Sequence, residues 1–168
     1  HRMVYDPVRK VVVLFGGHAR GKGQVGDQWE WNGTTWKQIH FAKGPSARDA
    51  HEMVWDPTRE VVLLFGGFGK TGGLLGDLWE WDGSHWTQLE QGDDRPGKLQ
   101  GAGLGHDGER LLLFGGRRSR RTPNDMTWSW DGRRWTQLQP AFRPPPRAWH
   151  AVVWHPGRRV CILFGGSN

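Results

Sequence analysis

Positively charged residues that recur at one place in a repeating sequence are the side chains of this chain best suited to binding chemistry. Arg48 and Arg147 each stand three residues before a histidine, and Lys98 stands at the matching place between them. A guanidinium offers a planar fork of N–H donors that fits a carboxylate, whereas an ammonium is a point charge. The pattern therefore predicts that this position binds anionic groups.

A second basic cluster is the segment Arg117-Arg118-Ser119-Arg120-Arg121, whose counterparts in the other copies carry far less charge. Such a cluster can bind a phosphate group or an acidic peptide through charge-assisted hydrogen bonds. It can equally be a solvated loop without a ligand. Both interpretations stay open for Arg117, Arg118, Arg120 and Arg121.

The other reactive residue types lack the spacing that catalysis or metal binding requires. The eight histidines show no His-x-His or His-Glu-x-x-His pattern, and no Gly-x-Ser-x-Gly nucleophile motif is present. The one cysteine, Cys161, excludes an internal disulfide and is expected to be an inert packing residue in a buried strand. We therefore expect no enzyme activity, no cofactor and no metal site.

The candidate residues are positioned by a repeat that occurs almost four times. The phrase Val-Val-Leu-Leu-Phe-Gly-Gly at 61–67 returns in closely similar form at 11–17, 111–116 and 161–166. Its phenylalanine recurs after 50, 49 and 50 residues. A period of this length indicates a repeat architecture, in which each unit buries its apolar face only by stacking on its neighbours.

Each repeat contains the signals of two β-hairpins. Trp-x-Trp followed by Asp-Gly, as at 79–83, predicts a strand with both rings on one face and a tight turn behind it. An Asp-Pro step, as at 56–57, ends one strand, and the uninterrupted apolar run 61–65 indicates a strand buried on both faces. The sequence thus predicts four short strands per repeat and no helix.

Four strands in about 50 residues, a Gly-Gly pair after an apolar strand and a downstream tryptophan together resemble the kelch repeat. The resemblance implies an all-β fold of kelch-type β-propeller blades with four antiparallel strands each, three full blades plus half of a fourth. One partial propeller domain would span 1–168, with repeats at approximately 1–47, 48–97, 98–146 and 147–168. The WD40 repeat fits less well, because its period is shorter and its signature lacks the Gly-Gly pair.

The resemblance also implies a role for the recurring cations. In kelch domains that capture peptides, an arginine at this position points into the central mouth and contacts acidic ligand residues. That role would fall to Arg48 and Arg147, and less directly to Lys98, which lacks the bidentate fork. In the structural alternative, the cations instead stabilise the blades by binding loop carbonyls or the repeated aspartates Asp27, Asp77 and Asp125.

Two sets of loops are expected on one face of such a propeller. In a blade whose strands alternate in direction, the loop after the second strand and the loop leading to the next blade emerge together. These segments are 18–26, 68–76, 117–124, 40–49, 90–99 and 139–148. They carry many of the basic residues of a chain whose net charge is +6, so we expect an acidic partner at this loop face.

We therefore predict a non-catalytic protein-interaction scaffold that binds an acidic peptide or protein surface. Nucleic acid is a weaker alternative, because basic loops without a recognition helix give mostly nonspecific binding. A carbohydrate-binding propeller would need exposed tryptophans, and only Trp149 of the twelve lacks a counterpart, the matching residues being Ala50 and Gln100. A purely structural propeller module is the third alternative.

The given sequence begins at His1, inside the repeat, and holds only the first two strands of a fourth copy. We interpret it as a piece of a longer propeller or as a protomer that completes a ring with other chains. An open arc would expose apolar blade faces, which drive association. Self-association, or missing blades that close the ring, is therefore expected. No apolar run is long enough for a membrane-spanning helix, and no membrane partner is expected.

Overall fold

The computed structural model describes residues 1–119 and 122–168, which form antiparallel β-strands joined by turns. Within these two ranges, no helix has the length and apolar character needed to cross a membrane. The strands group into four sheets that follow one another along the chain, here called blades 1 to 4. The all-β prediction with antiparallel sheets is confirmed.

The strand bounds follow the repeat. Blade 1 contains β1 (Arg2–Asp6), β2 (Val11–Ala19), β3 (Gly23–Trp31) and β4 (Trp36–Ile39). Blade 2 contains β5 (Arg48–Asp49), β6 (Glu52–Asp56), β7 (Val61–Gly69), β8 (Gly73–Trp81) and β9 (Trp86–Leu89). Blade 3 contains β10 (Gly103–His106), β11 (Leu111–Phe114), β12 (Thr127–Trp130) and β13 (Trp135–Leu138). Blade 4 contains β14 (Ala148–His155) and β15 (Val160–Ser167).

Neighbouring strands within a blade are consecutive in sequence, as hairpin signals predict; in blade 2, β5 and β6 both pair with β7. The first strands of successive blades, β1, β6, β10 and β14, lie side by side and line a central cleft of about 520 Å³. Loops that enter the first strand and loops that follow the second strand therefore meet at one end of this cleft. That end is the loop face.

The apolar core lies between blades. Trp86 of blade 2 packs edge-on against Phe15 of blade 1, with ring centroids 5.6 Å apart, and its Nε1 donates to Oε1 of Gln28 at 2.7 Å. Trp135 of blade 3 packs in the same way on Phe65 of blade 2 at 5.6 Å. Since the tryptophan of one repeat needs the phenylalanine of the preceding one, stacking between repeats creates the core.

The Gly-Gly pair lets the second strand of a blade pass close to the first strand. Gly67 has φ +103° in a β-bulge that follows Phe65, and a Cβ at Gly67 would lie 2.5 Å from the carbonyl oxygen of Asp49. A side chain is excluded there by both backbone conformation and space.

Two loop predictions are wrong. Segments 18–26 and 68–76 are not loops but the ends of long hairpins, because β2 extends to Ala19 and β7 extends to Gly69 beyond their bulges. The bulge absorbs the irregularity of the glycines, so the ladder resumes beyond it. In blade 3, by contrast, the described residues 117–119 and 122–124 lie outside the named strands.

Blade 4 departs from the predicted burial of the apolar strand. Phe164 is 82% exposed, whereas its counterpart Phe65 in blade 2 is 2% exposed. Cys161, expected to be buried, is half-buried. The reason is geometric: among the described residues no further strand pairs with the outer edge of β15, and no blade packs on the face that carries Phe164.

Candidate functional site

Arg48 is fully buried and uses every donor of its side chain within blade 2. Nε donates to the carbonyl of Ser46 at 2.9 Å, while Nη1 and Nη2 bind the two carboxylate oxygens of Asp77 at 2.7 and 2.8 Å. The carbonyl of Gly66 and the hydroxyl of Ser46 accept the remaining two N–H groups at 3.0 and 3.1 Å. The geometry corresponds to the structural alternative, and Arg48 offers no donor to a ligand.

The carboxylate of Asp77 is held in its charged form. Burial alone would raise its pKa, but the hydrogen bonds and charge of Arg48 outweigh burial and hold the pKa of Asp77 below its usual value. Nε1 of Trp79 donates to the same carboxylate at 2.6 Å. Arg48, Asp77 and Trp79 thus form one hydrogen-bonded unit inside a single blade.

Arg147 repeats part of this arrangement in blade 4. Its Nε donates to the carbonyl of Pro145 at 3.2 Å and its Nη1 to the carbonyl of Gly165 at 3.0 Å. These two bonds match those that Arg48 makes to Ser46 and Gly66. No carboxylate contacts Arg147 among the described residues, and its side chain is half-buried.

Lys98 does not occupy the same repeat position as these arginines. Gly67 donates its N–H to the carbonyl of Leu99, as Gly116 does to the carbonyl of Arg147, so Leu99 is the counterpart of Arg147. The first hairpin of blade 3 pairs Gly103 with Phe114 and is shorter than that of blade 2, which pairs Glu52 with Phe65. Because of this difference, the even spacing of the repeats matched Lys98 instead of Leu99 to the arginines. The role implied for Lys98 by its repeat position is therefore wrong.

Blade 3 has rearranged its ion pair accordingly. Asp125, which lies one residue before the structural counterpart of Asp77, binds Nε of Arg143 at 2.9 Å, and the buried arginine position is filled by Leu99. Lys98, next to it, is exposed and forms no ion pair within the described ranges. It lines a groove of about 360 Å³ that also contains Arg95.

Arg117 and Arg118 extend this basic surface towards the cleft. Nη2 of Arg118 donates to the carbonyl of Pro96 at 2.9 Å, and the backbone of Arg117 exchanges hydrogen bonds of 2.9 and 3.1 Å with Gln100. The guanidinium of Arg117 lies 4.5 Å from the ring centre of Trp149. Arg95, Lys98, Arg117 and Arg118 are here called the basic strip. The other two arginines of the cluster, Arg120 and Arg121, lie outside the described residues.

Trp149 is the aromatic residue at the inner end of the basic strip. It is 45% exposed, and its backbone has φ +58°, a conformation that bulky residues rarely adopt. Its structural counterparts are Ala50 and Gly101, which have φ +50° and +61°. The sequence comparison had matched Trp149 to Gln100, one residue before Gly101. In the sequence, Trp149 was set apart only because no other repeat has a tryptophan at the matching position.

Buried histidines lie beneath the loop face. His51 is fully buried between blades 1 and 2, edge-on to Phe15 at 5.7 Å, and neither ring nitrogen has a partner of normal hydrogen-bond geometry among the described residues. Burial and then the charge of Arg48 lower the pKa of His51 to about 3. His150 of blade 4 lies against Phe114 in the same way, and burial lowers its pKa to about 4.

Acid should destabilise the protein through His51. Its folded-state pKa lies below the ordinary value of 6.5, so the stability it contributes is complete above pH 6.5 and is lost as pH falls towards 3. Lowering the pH to 4.5 should remove roughly 2 to 3 kcal/mol through this group. Urea unfolding of wild type and of His51→Phe, above pH 6.5 and again at pH 4.5, measures this loss of stability, since phenylalanine cannot protonate.

His85→Phe is the matched control, because His85 is exposed. Glu52 acts in the opposite direction: burial, partly offset by Arg2, raises its pKa to about 7, so its contribution is largest in acid. Because wild type and the variants all contain Glu52, its contribution cancels when their changes in unfolding free energy between the two pH values are compared. Equal pH dependence of wild type and His51→Phe would contradict a neutral buried His51.

In residues 1–119 and 122–168, no three His, Cys, Asp or Glu side chains come together in an arrangement that could hold a metal ion. What the site brings together is a set of cations beside one exposed indole, a combination suited to binding anionic and aromatic groups.

Comparison with known proteins agrees with this architecture. The family model described as the KLHDC2/KLHL20/DRC7 Kelch-repeats domain matches residues 1–168. A search of the curated proteins found no match. Among solved structures 134 chains match, including one described as the structure of YjhT, a kelch-type propeller, with a TM-score of 0.70 and 14% identity. That match covers 86% of this chain and 53% of the other, so this chain spans about half of its length. The chain therefore belongs to the kelch-repeat family, and its sheets are blades of a kelch-type β-propeller.

Proposed function

We propose that this kelch domain is a protein-interaction module whose loop face binds an acidic peptide or an acidic protein surface through the basic strip. Kelch-repeat domains are typically interaction modules rather than enzymes. The observation that carries the proposal is the contrast between two kinds of cation. Arg48 is buried and fully used by its blade, whereas Lys98 and Arg118 are exposed on the loop face.

The basic strip is positioned by backbone contacts. Arg118 is tied to the carbonyl of Pro96, and Arg117 is tied to Gln100 on both sides of its backbone. Cations whose place is fixed before binding lose less conformational freedom when a ligand arrives. Arg147, held by two carbonyls and half-exposed, stands near the inner end of the strip and is included in the proposed surface.

Removing exposed cations of the basic strip should weaken binding of an acidic peptide. Lys98→Ala and Arg118→Ala should each lower the affinity about tenfold, because a charge-assisted hydrogen bond contributes roughly 1.5 to 3 kcal/mol before salt screening reduces it. Calorimetric titration with a glutamate-rich peptide at low and high salt measures both the loss and its salt dependence.

Controls of the same residue type lie elsewhere on the chain. Lys37 is exposed on β4, and Arg133 is exposed in the β12–β13 turn at the opposite end of blade 3. Lys37→Ala and Arg133→Ala should leave the affinity unchanged. If all four variants bind equally well, the attraction comes from overall charge, and the basic strip is not the binding surface.

Carbohydrate binding is a second candidate because one tryptophan ring is exposed on the loop face. Trp149 and Trp36 are the exposed tryptophans, at 45% and 44%, and Trp36 lies on the outer strand β4 instead. A sugar stacked on Trp149 would bind with little dependence on salt, whereas an acidic peptide would bind with strong dependence. A glycan array together with the salt titration separates the two candidates.

A further inference from the structure

The most unusual backbone position on the loop face is occupied by Trp149, a large and partly exposed aromatic residue. In successive blades the residue that enters the first strand is Ala50, Gly101 and Trp149, and all three have positive φ. Small residues meet this requirement with less strain than a bulky one. A tryptophan held in this conformation at a cleft mouth points to a function that outweighs its cost.

The neighbouring blade makes room for the ring. The N–H of Trp149 donates to the carbonyl of Gly101 at 2.7 Å, and Gly101 donates in turn to the carbonyl of Ala50 at 2.9 Å. A Cβ at Gly101 would lie 3.0 Å from Cε2 of Trp149, so the indole lies directly against the glycine backbone. The ring therefore reaches from blade 4 across the entrance of blade 3.

Arg117 holds the ring in this place. Its guanidinium lies 4.5 Å from the ring centre of Trp149 and contacts the hydroxyl of Ser167 at 3.5 Å. Stacking on the indole keeps the positive charge of the guanidinium beside the ring at the cleft mouth. Trp149, which is 45% exposed, and Arg117 thus present apolar and cationic surface together.

We propose that Trp149 and Arg117 form a subsite for an aromatic side chain that lies next to carboxylates in the ligand. The inference rests on the proposed function and deepens it: the basic strip binds the acidic residues, and the subsite selects a peptide in which an aromatic residue follows them. The ligand ring packs against the exposed part of the indole, and an adjacent carboxylate approaches the positive charge of Arg117. Exposed aromatic residues of this kind commonly dominate the affinity of an interface.

Two peptides of equal length and charge test the subsite, a glutamate-rich peptide with one phenylalanine and the same peptide with alanine in its place. Wild type should bind the phenylalanine peptide about tenfold more tightly, the size expected for one well-packed aromatic contact. Trp149→Gly should abolish this preference, so that the two peptides bind the variant with similar affinities. Glycine suits the positive φ at this position, so the variant should fold.

Two further variants sharpen the test. Trp149→Tyr keeps an aromatic ring and should retain part of the preference. Trp36→Gly removes the other exposed tryptophan, on β4, and should retain all of it. Tryptophan emission should change when the phenylalanine peptide binds wild type but not when it binds Trp149→Gly.

The outcomes distinguish this inference from the proposed function. Binding of both peptides without a preference, or a preference that survives Trp149→Gly, overturns the aromatic subsite and leaves the basic strip intact. Failure of wild type to bind either peptide overturns both proposals. A glycan that binds wild type but not Trp149→Gly, with neither peptide binding, reassigns the ring to carbohydrate.

Discussion

Replacing Arg48 by methionine is expected to lower the free energy of unfolding by about 3 to 5 kcal/mol. Methionine keeps the apolar stem but removes five hydrogen bonds, two of them to the carboxylate of Asp77. Asp77 would then be a largely buried charge whose main partner is gone, which is the costly state of a buried ion pair. Urea unfolding followed by circular dichroism measures the loss.

Arg147→Met is the matched control. Arg147 makes the same two carbonyl contacts as Arg48, is half-exposed, and binds no carboxylate in the part of the chain described, so its replacement should cost about 1 kcal/mol or less. Adding Asp77→Asn to Arg48→Met should restore part of the lost stability, because the unpaired charge is removed. Equal effects of Arg48→Met and Arg147→Met would contradict the assigned role of the ion pair.

Truncating Trp86 to alanine should cost about 3 to 5 kcal/mol, the range for a buried aromatic residue. Trp86 is buried against Phe15, and its Nε1 donates to the fully buried Gln28. The substitution leaves a cavity between blades 1 and 2 and removes the partner of a buried amide oxygen. Thermal or urea unfolding of the variant at neutral pH provides the measurement.

Trp36 offers the same substitution at the same place in blade 1. It pairs with Trp31 across its hairpin as Trp86 pairs with Trp81, but it is 44% exposed. Trp36→Ala should therefore cost about 1 kcal/mol, in line with a partly exposed side chain. If Trp36→Ala proves as costly as Trp86→Ala, Trp36 is covered in solution by another blade or another chain.

Most of the fold was predictable because local and periodic signals agree. The Asp-Gly turn at 82–83, the Asp-Pro step at 56–57 and the apolar run 61–65 each specify a local conformation, and their recurrence specifies stacking. The hairpin extensions at 18–26 and 68–76 were missed, because glycines that usually end a strand here form a bulge through which pairing continues.

The site was less predictable, because its geometry depends on contacts between distant residues. Whether Arg48 faced a ligand or its own blade depended on Asp77, 29 residues away, and the sequence allowed both. The sequence placed Lys98 at the arginine position of blade 3, whereas the structure places Leu99 there. The cause is a shortened hairpin, which the spacing of the repeats does not reveal. The stack of Arg117 on Trp149 crosses from blade 3 to blade 4 and follows no period.

Polar contacts within a blade and polar contacts between blades behave differently when a gene segment that encodes one blade is duplicated. Arg48 and Asp77 lie in one blade, so a copied blade keeps its ion pair wherever it is inserted. Trp86 depends on Gln28 of the blade before it, and Trp135 uses Gln91 from a loop, because Leu78 stands where Gln28 would be. Each inserted blade must find an amide acceptor in its new predecessor. An ion pair inside a blade therefore moves with that blade, whereas the contacts between a tryptophan and the preceding blade restrict which blades can be neighbours.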